Sequence, residues 1–202
     1  GCPSSRGTRG AIPQRIVVGV AIAIWRCHRS CMMIDRRFEN AGTHDQPSVV
    51  NTLALAFQDD PALCWIIPDA ERRRVRLPIL FDMLFKSDLP MGMILKSPAH
   101  ESCSLWRAPG TADTGLLELL KSAIPMLRVF GSGIGRGIAV SNALDAHHPK
   151  GFPYWYLHFV GVRPEWQGKG WGGAIIRDGL ARTAAYGLPT YLETATPQNV
   201  PL

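Results

Sequence analysis

The chain has 202 residues, 46% of them hydrophobic and 19% charged, which suits one domain with a sizeable core and excludes a disordered polar segment. Its net charge of +6 sits at one end: Arg6, Arg9, Arg15, Arg26 and Arg29 fall in residues 1–31, which hold no acid, leaving 17 of the 22 basic residues against all 16 acidic ones. A nearly neutral body argues against a nucleic-acid partner. Five cysteines without a CxxC pair give neither a disulfide framework nor a zinc ligand set, so no metal is expected and the compartment reads as reducing and cytoplasmic.

The first apolar run, Ile16–Trp25, is shorter than the ~20 residues of a membrane span. Arg26-Cys27-His28-Arg29 follows it, not a small-x-small cleavage site. An Arg-rich transit peptide is one reading of residues 1–31. The abrupt change of composition favours another, a non-native extension before Met32 or Met33, dispensable for folding. The domain is then 32–202, with no membrane partner.

Ile34–Glu39 is predicted as a short strand. Asp45 or Ser48 caps a helix that carries Val49, Val50, Leu53, Ala54 and Phe57 on one face and stops at Asp59-Asp60-Pro61. Pro68-Asp69 opens a second helix to about Lys86, with Arg72-Arg73-Arg74 on a solvated face. Met91–Lys96 and Glu101–Trp106 form a hairpin across Ser97-Pro98-Ala99-His100. Leu116, Leu120, Ala123, Ile124 and Leu127 mark a helix kinked at Pro125. The alternating glycines of 131–137 read as a flexible loop lining the acceptor site, and His147-His148 as exposed loop histidines. Tyr154–Val162 is a buried strand, Gly170–Tyr186 an amphipathic helix ended by Gly187 and Pro189, and Thr190–Thr194 a last strand. Strand, helix, strand implies a parallel crossover in an α/β (α+β) mixed sheet flanked by helices.

The chemistry concentrates in Val162–Gly172, VRPEWQGKGWG. Pro164 ends the strand, and Gln167, Gly168, Lys169, Gly170, Trp171, Gly172 and Gly173 lead directly into a helix. Free N–H groups and the dipole of a helix start attract anions, and glycines admit a phosphate to the backbone. Several amides in succession suit a pyrophosphate, with Lys169 at the rim. The spacing fits neither the Rossmann fingerprint nor the P-loop.

V-x-P-x-x-Q-G-x-G-x-G, as it stands in residues 162–172, resembles the acetyl-CoA signature of the GNAT N-acetyltransferases. Ala56–Pro61, Trp65–Asp69, Ser104–Gly110, Tyr156–Val162, Tyr191–Thr194 and Pro197–Leu202 extend the resemblance to its puromycin N-acetyltransferase branch, over most of residues 34–202. The resemblance implies the GNAT fold and acetyl-CoA as co-substrate, its pyrophosphate on Gln167–Gly172. Val160, Gly161 and Val162 then pair with the pantetheine amides, which requires the two central strands to splay near Gly161. Asn199 contacts the pantetheine arm, and a backbone amide near Gly161 serves as an oxyanion donor.

A family member continues past this Asn to a Tyr that protonates the leaving thiolate, then to further strands. This sequence stops at Leu202, so it reads as a GNAT domain truncated at its C-terminus, with an open sheet edge and a CoA affinity better preserved than its turnover. For the base, relatives place Glu or His where Tyr156 stands. His158, two residues on, is one candidate, because an imidazole ordinarily titrates near neutrality, with a hydrogen-bonded core histidine as the alternative. Glu193, a carboxylate in an apolar strand, is the second catalytic or substrate-binding candidate. Trp65, Trp106 and Trp155 are core candidates. The expected activity is direct acetyl transfer to a primary amine of a small molecule. A non-catalytic CoA-binding module is the alternative, and a homodimer stays open.

Overall fold

The structure, a computed structural model of the chain, describes the backbone of residues 18–23 and residues 37–111 and 126–194 in full. One mixed sheet of six strands organises these residues: β1 (Val18–Ala23), β2 (Glu39–Asn40), β3 (Gly92–Lys96), β4 (Ser102–Arg107), β5 (Trp155–Val162) and β6 (Thr190–Thr194), in the spatial order β1-β6-β5-β4-β3-β2. Every neighbouring pair is antiparallel except β5 and β6, which are parallel. Helices α1 (Gln46–Ala56), α2 (Pro61–Ile66), α3 (Ala70–Asp88) and α4 (Ile134–Asp145) precede β5, and α5 (Trp171–Thr183) makes the crossover to β6.

The helix starts follow from short polar side chains. Asp60 accepts a hydrogen bond from the Leu63 amide at 2.9 Å, with Pro61 at the first helical position, and Asp69 accepts from the Arg72 amide at 2.8 Å. Asp45 occupies the cap position of α1, but its carboxylate turns to the Gly42 amide and to Lys96. Two cores result. Val49, Leu53, Leu77, Phe81 and Phe85 of α1 and α3 pack on Ile94, Leu105 and Phe159 on one face of the sheet. Ile175 and Leu180 of α5 pack on Leu95, Trp106, Trp155 and Leu157 on the other. Trp106 and Trp155 are thus core residues, and Trp65 packs at the margin of the first cluster.

Several expectations are corrected. Arg73 is buried: its guanidinium donates to the carbonyls of Gln58, Ile67 and Pro68, groups left without helical partners at the ends of α1 and α2. Gly131–Gly137 is no loop: a 3₁₀ turn at Gly131–Gly133 runs straight into α4. Cys64 is disulfide-bonded, which the cysteine spacing did not suggest. The kinked helix expected over 116–127 lies largely outside the described residues; 126–130 are helical. Among the described residues no helix is long and apolar enough to cross a membrane.

The first stretch of the chain also differs from expectation. Residues 1–31 hold no element of the family pattern and are expected to be dispensable, yet Val18–Ala23 pairs antiparallel with β6, Val18 opposite Thr194 and Ala23 opposite Thr190. The outer edge of β6 is therefore covered rather than open. Deleting residues 1–31 is expected to lower the melting temperature by several degrees and to promote association through the uncovered edge. A truncated chain that melts with the parent, by circular dichroism, would show that β1 contributes nothing to stability.

Candidate active site

The centre of the sheet carries a defect in pairing. Trp155, Tyr156 and Leu157 of β5 lie opposite Thr190, Tyr191 and Leu192 of β6, and the pairing ends there. β5 continues to Val162 with its other edge bonded to β4. From His158 to Val162 the edge towards β6 thus has no strand partner among the described residues, in keeping with the splay that the family resemblance implies near Gly161. It opens at the carboxyl ends of two parallel strands, the usual place for a ligand in such sheets.

Gly161 is required by close packing of α1 across β5. A Cβ added to it would lie 2.8 Å from Leu53 Cδ2 and 3.3 Å from Ala56 Cβ. After Val162 the chain makes a 3₁₀ turn at Pro164–Trp166, closed by the Gln167 side-chain amide, which donates to the Val162 carbonyl at 3.0 Å. Gly168 and Gly170 adopt φ of 72° and 78°, in the left-handed region that favours glycine. Gly170 caps α5 and its carbonyl accepts from the Ala174 amide at 3.1 Å, so the amides of Gly172 and Gly173 lie in the first turn of the helix. Lys169 stands over the Trp166 ring, 4.5 Å from its centroid. The Arg177 guanidinium, not singled out in the sequence, lies beside Gly173. Open backbone, a helix start and two cations fit an anion such as a pyrophosphate. Asn199 lies outside the described residues.

The second feature is a β-bulge. Leu105 faces Phe159 and Trp106 faces Leu157, so His158 has no residue opposite it. The extra residue brings the His158 and Phe159 rings side by side, 4.4 Å apart, while Leu157 and Val160 pack on the α5 side. His158 thereby reaches the end of α3, where its Nδ1 lies 2.6 Å from Asp88 Oδ2. Arg107 donates to Asp88 Oδ1 from Nε at 2.8 Å and from its terminal nitrogen at 2.7 Å. Asp88 is wholly buried. Burial alone would raise its pKa, but the adjoining His158 and Arg107 outweigh that and hold the carboxyl below its ordinary range. Sequence reading missed Asp88, which looked like a helix end, and Arg107. A charged residue inside the apolar strand Ser102–Arg107 was the available signal.

Glu193, at the diverging end of β6, accepts from the Tyr156 hydroxyl at 3.2 Å and the Tyr191 hydroxyl at 2.6 Å. Its carboxylate is thus occupied by two phenols. Burial, reinforced by Glu193, pushes both hydroxyls up, so they remain protonated donors. His148 is not an exposed loop residue: its side chain is 11% accessible, with Nε2 3.6 Å from Glu193 and Nδ1 3.0 Å from the Tyr154 hydroxyl. Its ring packs edge-on against Tyr154, Tyr156 and Tyr191. A cavity of about 550 Å³, lined by Asp145, His148, Phe152 and Tyr154 among others, opens beside this cluster.

With this geometry in view, the comparisons with known proteins are specific. The model of the acetyltransferase (GNAT) family matches residues 134–202, the part that holds β5, the glycine turn, α5 and β6. An uncharacterized N-acetyltransferase of Schizosaccharomyces pombe is 26% identical over 168 residues, covering 78% of this chain and 68% of the relative. These likenesses support the GNAT acetyltransferase family. The fold agrees. A Corynebacterium glutamicum crystal structure of a "histone acetyltransferase HPA2 and related acetyltransferase" superposes with a TM-score of 0.55 at 25% identity, over 73% of this chain and 71% of that one. Arylalkylamine N-acetyltransferase 2 of Aedes aegypti superposes with a TM-score of 0.60 at 14% identity, over 82% and 80%. The mixed sheet flanked by helices is therefore the GNAT architecture.

The Asp88 carboxyl makes a prediction about acid stability. Its folded pKa lies below the unfolded one, so its contribution is complete above about pH 4, the unfolded value, and is lost as pH falls through the lower folded value. In urea unfolding, the gap in stability between the parent and Asp88→Asn should be widest above about pH 4 and narrow below it. A gap independent of pH would mean that Asp88 is not held as an anion.

Proposed function

We propose that the protein transfers an acetyl group from acetyl-CoA to a primary amine of a small molecule, by direct attack of the amine. The observation that carries the reading is the opened β5 edge ending in a glycine-lined helix start, beside a bulged histidine. The bound thioester supplies an electrophilic carbonyl carbon. Val160, Gly161 and Val162 offer the backbone edge to the pantetheine amides. Gln167, Gly168, Lys169, Gly170, Trp171, Gly172 and Gly173 take the pyrophosphate. Asn199, carried over from the family resemblance, meets the pantetheine arm. The motifs of residues 56–69 and 104–110 favour the puromycin N-acetyltransferase branch within the family.

His158 is the proton acceptor in this reading. Glu193, engaged by Tyr156 and Tyr191, acts through them as the anchor of an aromatic wall on the acceptor side. That wall and the adjoining cavity with Phe152, Tyr154 and Asp145 suit an amine with an apolar or aromatic body. The fold shared with an arylalkylamine N-acetyltransferase is in keeping with such an acceptor. Direct attack is supported by the cysteines: Cys64 is bridged, and the Cys103 thiol is buried and pushed far above its ordinary pKa, so neither suits an acyl carrier.

Two measurements test the reading. Replacing Gly170 with Glu puts a side chain and a negative charge into the cradle at a left-handed position. CoA affinity by calorimetry should fall by roughly tenfold or more, about 1.4 kcal/mol; unchanged affinity would show that the cradle is misassigned. Thiol release from acetyl-CoA across an amine panel should reveal turnover, reduced in His158→Gln by roughly 10²–10⁴-fold. CoA binding without turnover on any amine would favour the non-catalytic module instead.

A further inference from the structure

We propose that Asp88 is the positioning residue of the proton-accepting site, fixing His158 in the tautomer that carries its proton on Nδ1 and presents a bare Nε2 to the acceptor. The proposal rests on the acetyl-transfer reading above.

The argument starts from what each atom can do. A carboxylate only accepts, so the 2.6 Å contact requires Nδ1 of His158 to donate. Asp88 cannot turn away, because Arg107 holds its other oxygen through two donors and neither partner is open to solvent. The carboxylate is assigned atom by atom: Oδ1 to Arg107, Oδ2 to His158. The remaining neighbours of the imidazole leave that arrangement intact. Tyr156 lies 5.2 Å away, ring to ring, with its hydroxyl committed to Glu193, and Phe159 is apolar. The bulge at His158 is what lets the ring leave the strand and reach α3.

The chemical consequence is a proton acceptor whose charged form is stabilised. The acceptor's ammonium gives one proton to Nε2, and the imidazolium forms beside a buried anion. The freed lone pair makes the N–C bond to the acyl carbon as the C–S bond breaks. The second amine proton leaves with the thiolate, and the imidazolium later returns its proton to solvent.

Asp88→Asn is diagnostic because of Arg107. A guanidinium only donates, so it claims the single amide oxygen of the new side chain. The amide NH₂ then faces His158 and forces Nδ1 to accept, which moves the ring proton to Nε2. The readout is the ¹⁵N spectrum of histidine-labelled full chain above about pH 8, where imidazoles are neutral, with His158 assigned through His158→Gln. The parent should show the proton on Nδ1. Asp88→Asn should show it on Nε2 and lose roughly 10²–10⁴-fold in kcat with KM little changed. A parent spectrum with the proton on Nε2 overturns the proposal even if the variant does not fold. So does a variant with the altered tautomer and undiminished kcat. Full-rate turnover by His158→Gln overturns the base role and this proposal with it; a wrong parent tautomer leaves the base role standing, so the two failures are told apart.

Discussion

The unpaired stretch of β5 is the constraint on which the rest depends. A strand buried in the middle of a sheet must bond along both edges or lose free energy for every group left dry. Here three residue pairs join β5 to β6, and the edge beyond them has no strand partner among the described residues. Such an edge is tolerable where solvent or a strand-like ligand reaches it. The glycine turn that follows β5 puts a helix start at the open end of the same gap, and the bulge puts an imidazole on the face towards α1 and α3. Backbone edge, glycine-lined helix start and imidazole are thus consecutive along one segment, 158–173, and their relative positions are set by one strand and one turn.

Charges hold the surroundings in place. Arg107 in β4 and Asp88 at the end of α3 are buried together and tie the helix to the sheet just where His158 emerges. Arg73 performs a related task between α1, α2 and α3, satisfying three carbonyls at once. Breaking a buried pair on one side commonly costs ~3–5 kcal/mol, because the other charge stays behind without a partner. Such groups sharpen the placement of the His158 imidazole while adding little net stability of their own.

Much of the fold was legible because its signals were local. Asp69 as a cap, the hairpin around Ser97-Pro98-Ala99-His100, and Gly187 after the last helix each specify an element within a few residues. The glycine turn that leads into α5 was legible for the same reason. What escaped depends on distance or on short length. Asp88 and His158 are separated by 70 residues, and only the tertiary fold brings them together. α2, six residues long, is too short to repeat an apolar face, and Asp59-Asp60-Pro61 read as the stop of α1 rather than as the cap of a further helix. The glycines of 131–137 hid a helix start that forms because the turn packs against the Ile66 carbonyl. His148 looked like an exposed loop residue because nothing in its neighbourhood foretold a cage of Tyr154, just before β5, with Tyr156 of β5 and Tyr191 of β6.

The placement of β1 bears on the order in which the molecule is made. Val18–Ala23 pairs with Thr190–Thr194, so this strand, once made, waits for a partner synthesised about 170 residues later. At the ~5–20 residues per second of synthesis, an apolar strand stays without its partner for about 10–30 seconds. The central hairpin of β3 and β4 and the helices packed on it need no such delay. Contacts of this span slow folding and expose sticky edges. The sheet is therefore expected to grow outward from its middle, with β1 as the closing stitch, and production of the protein should respond to chaperones that shelter an early apolar segment.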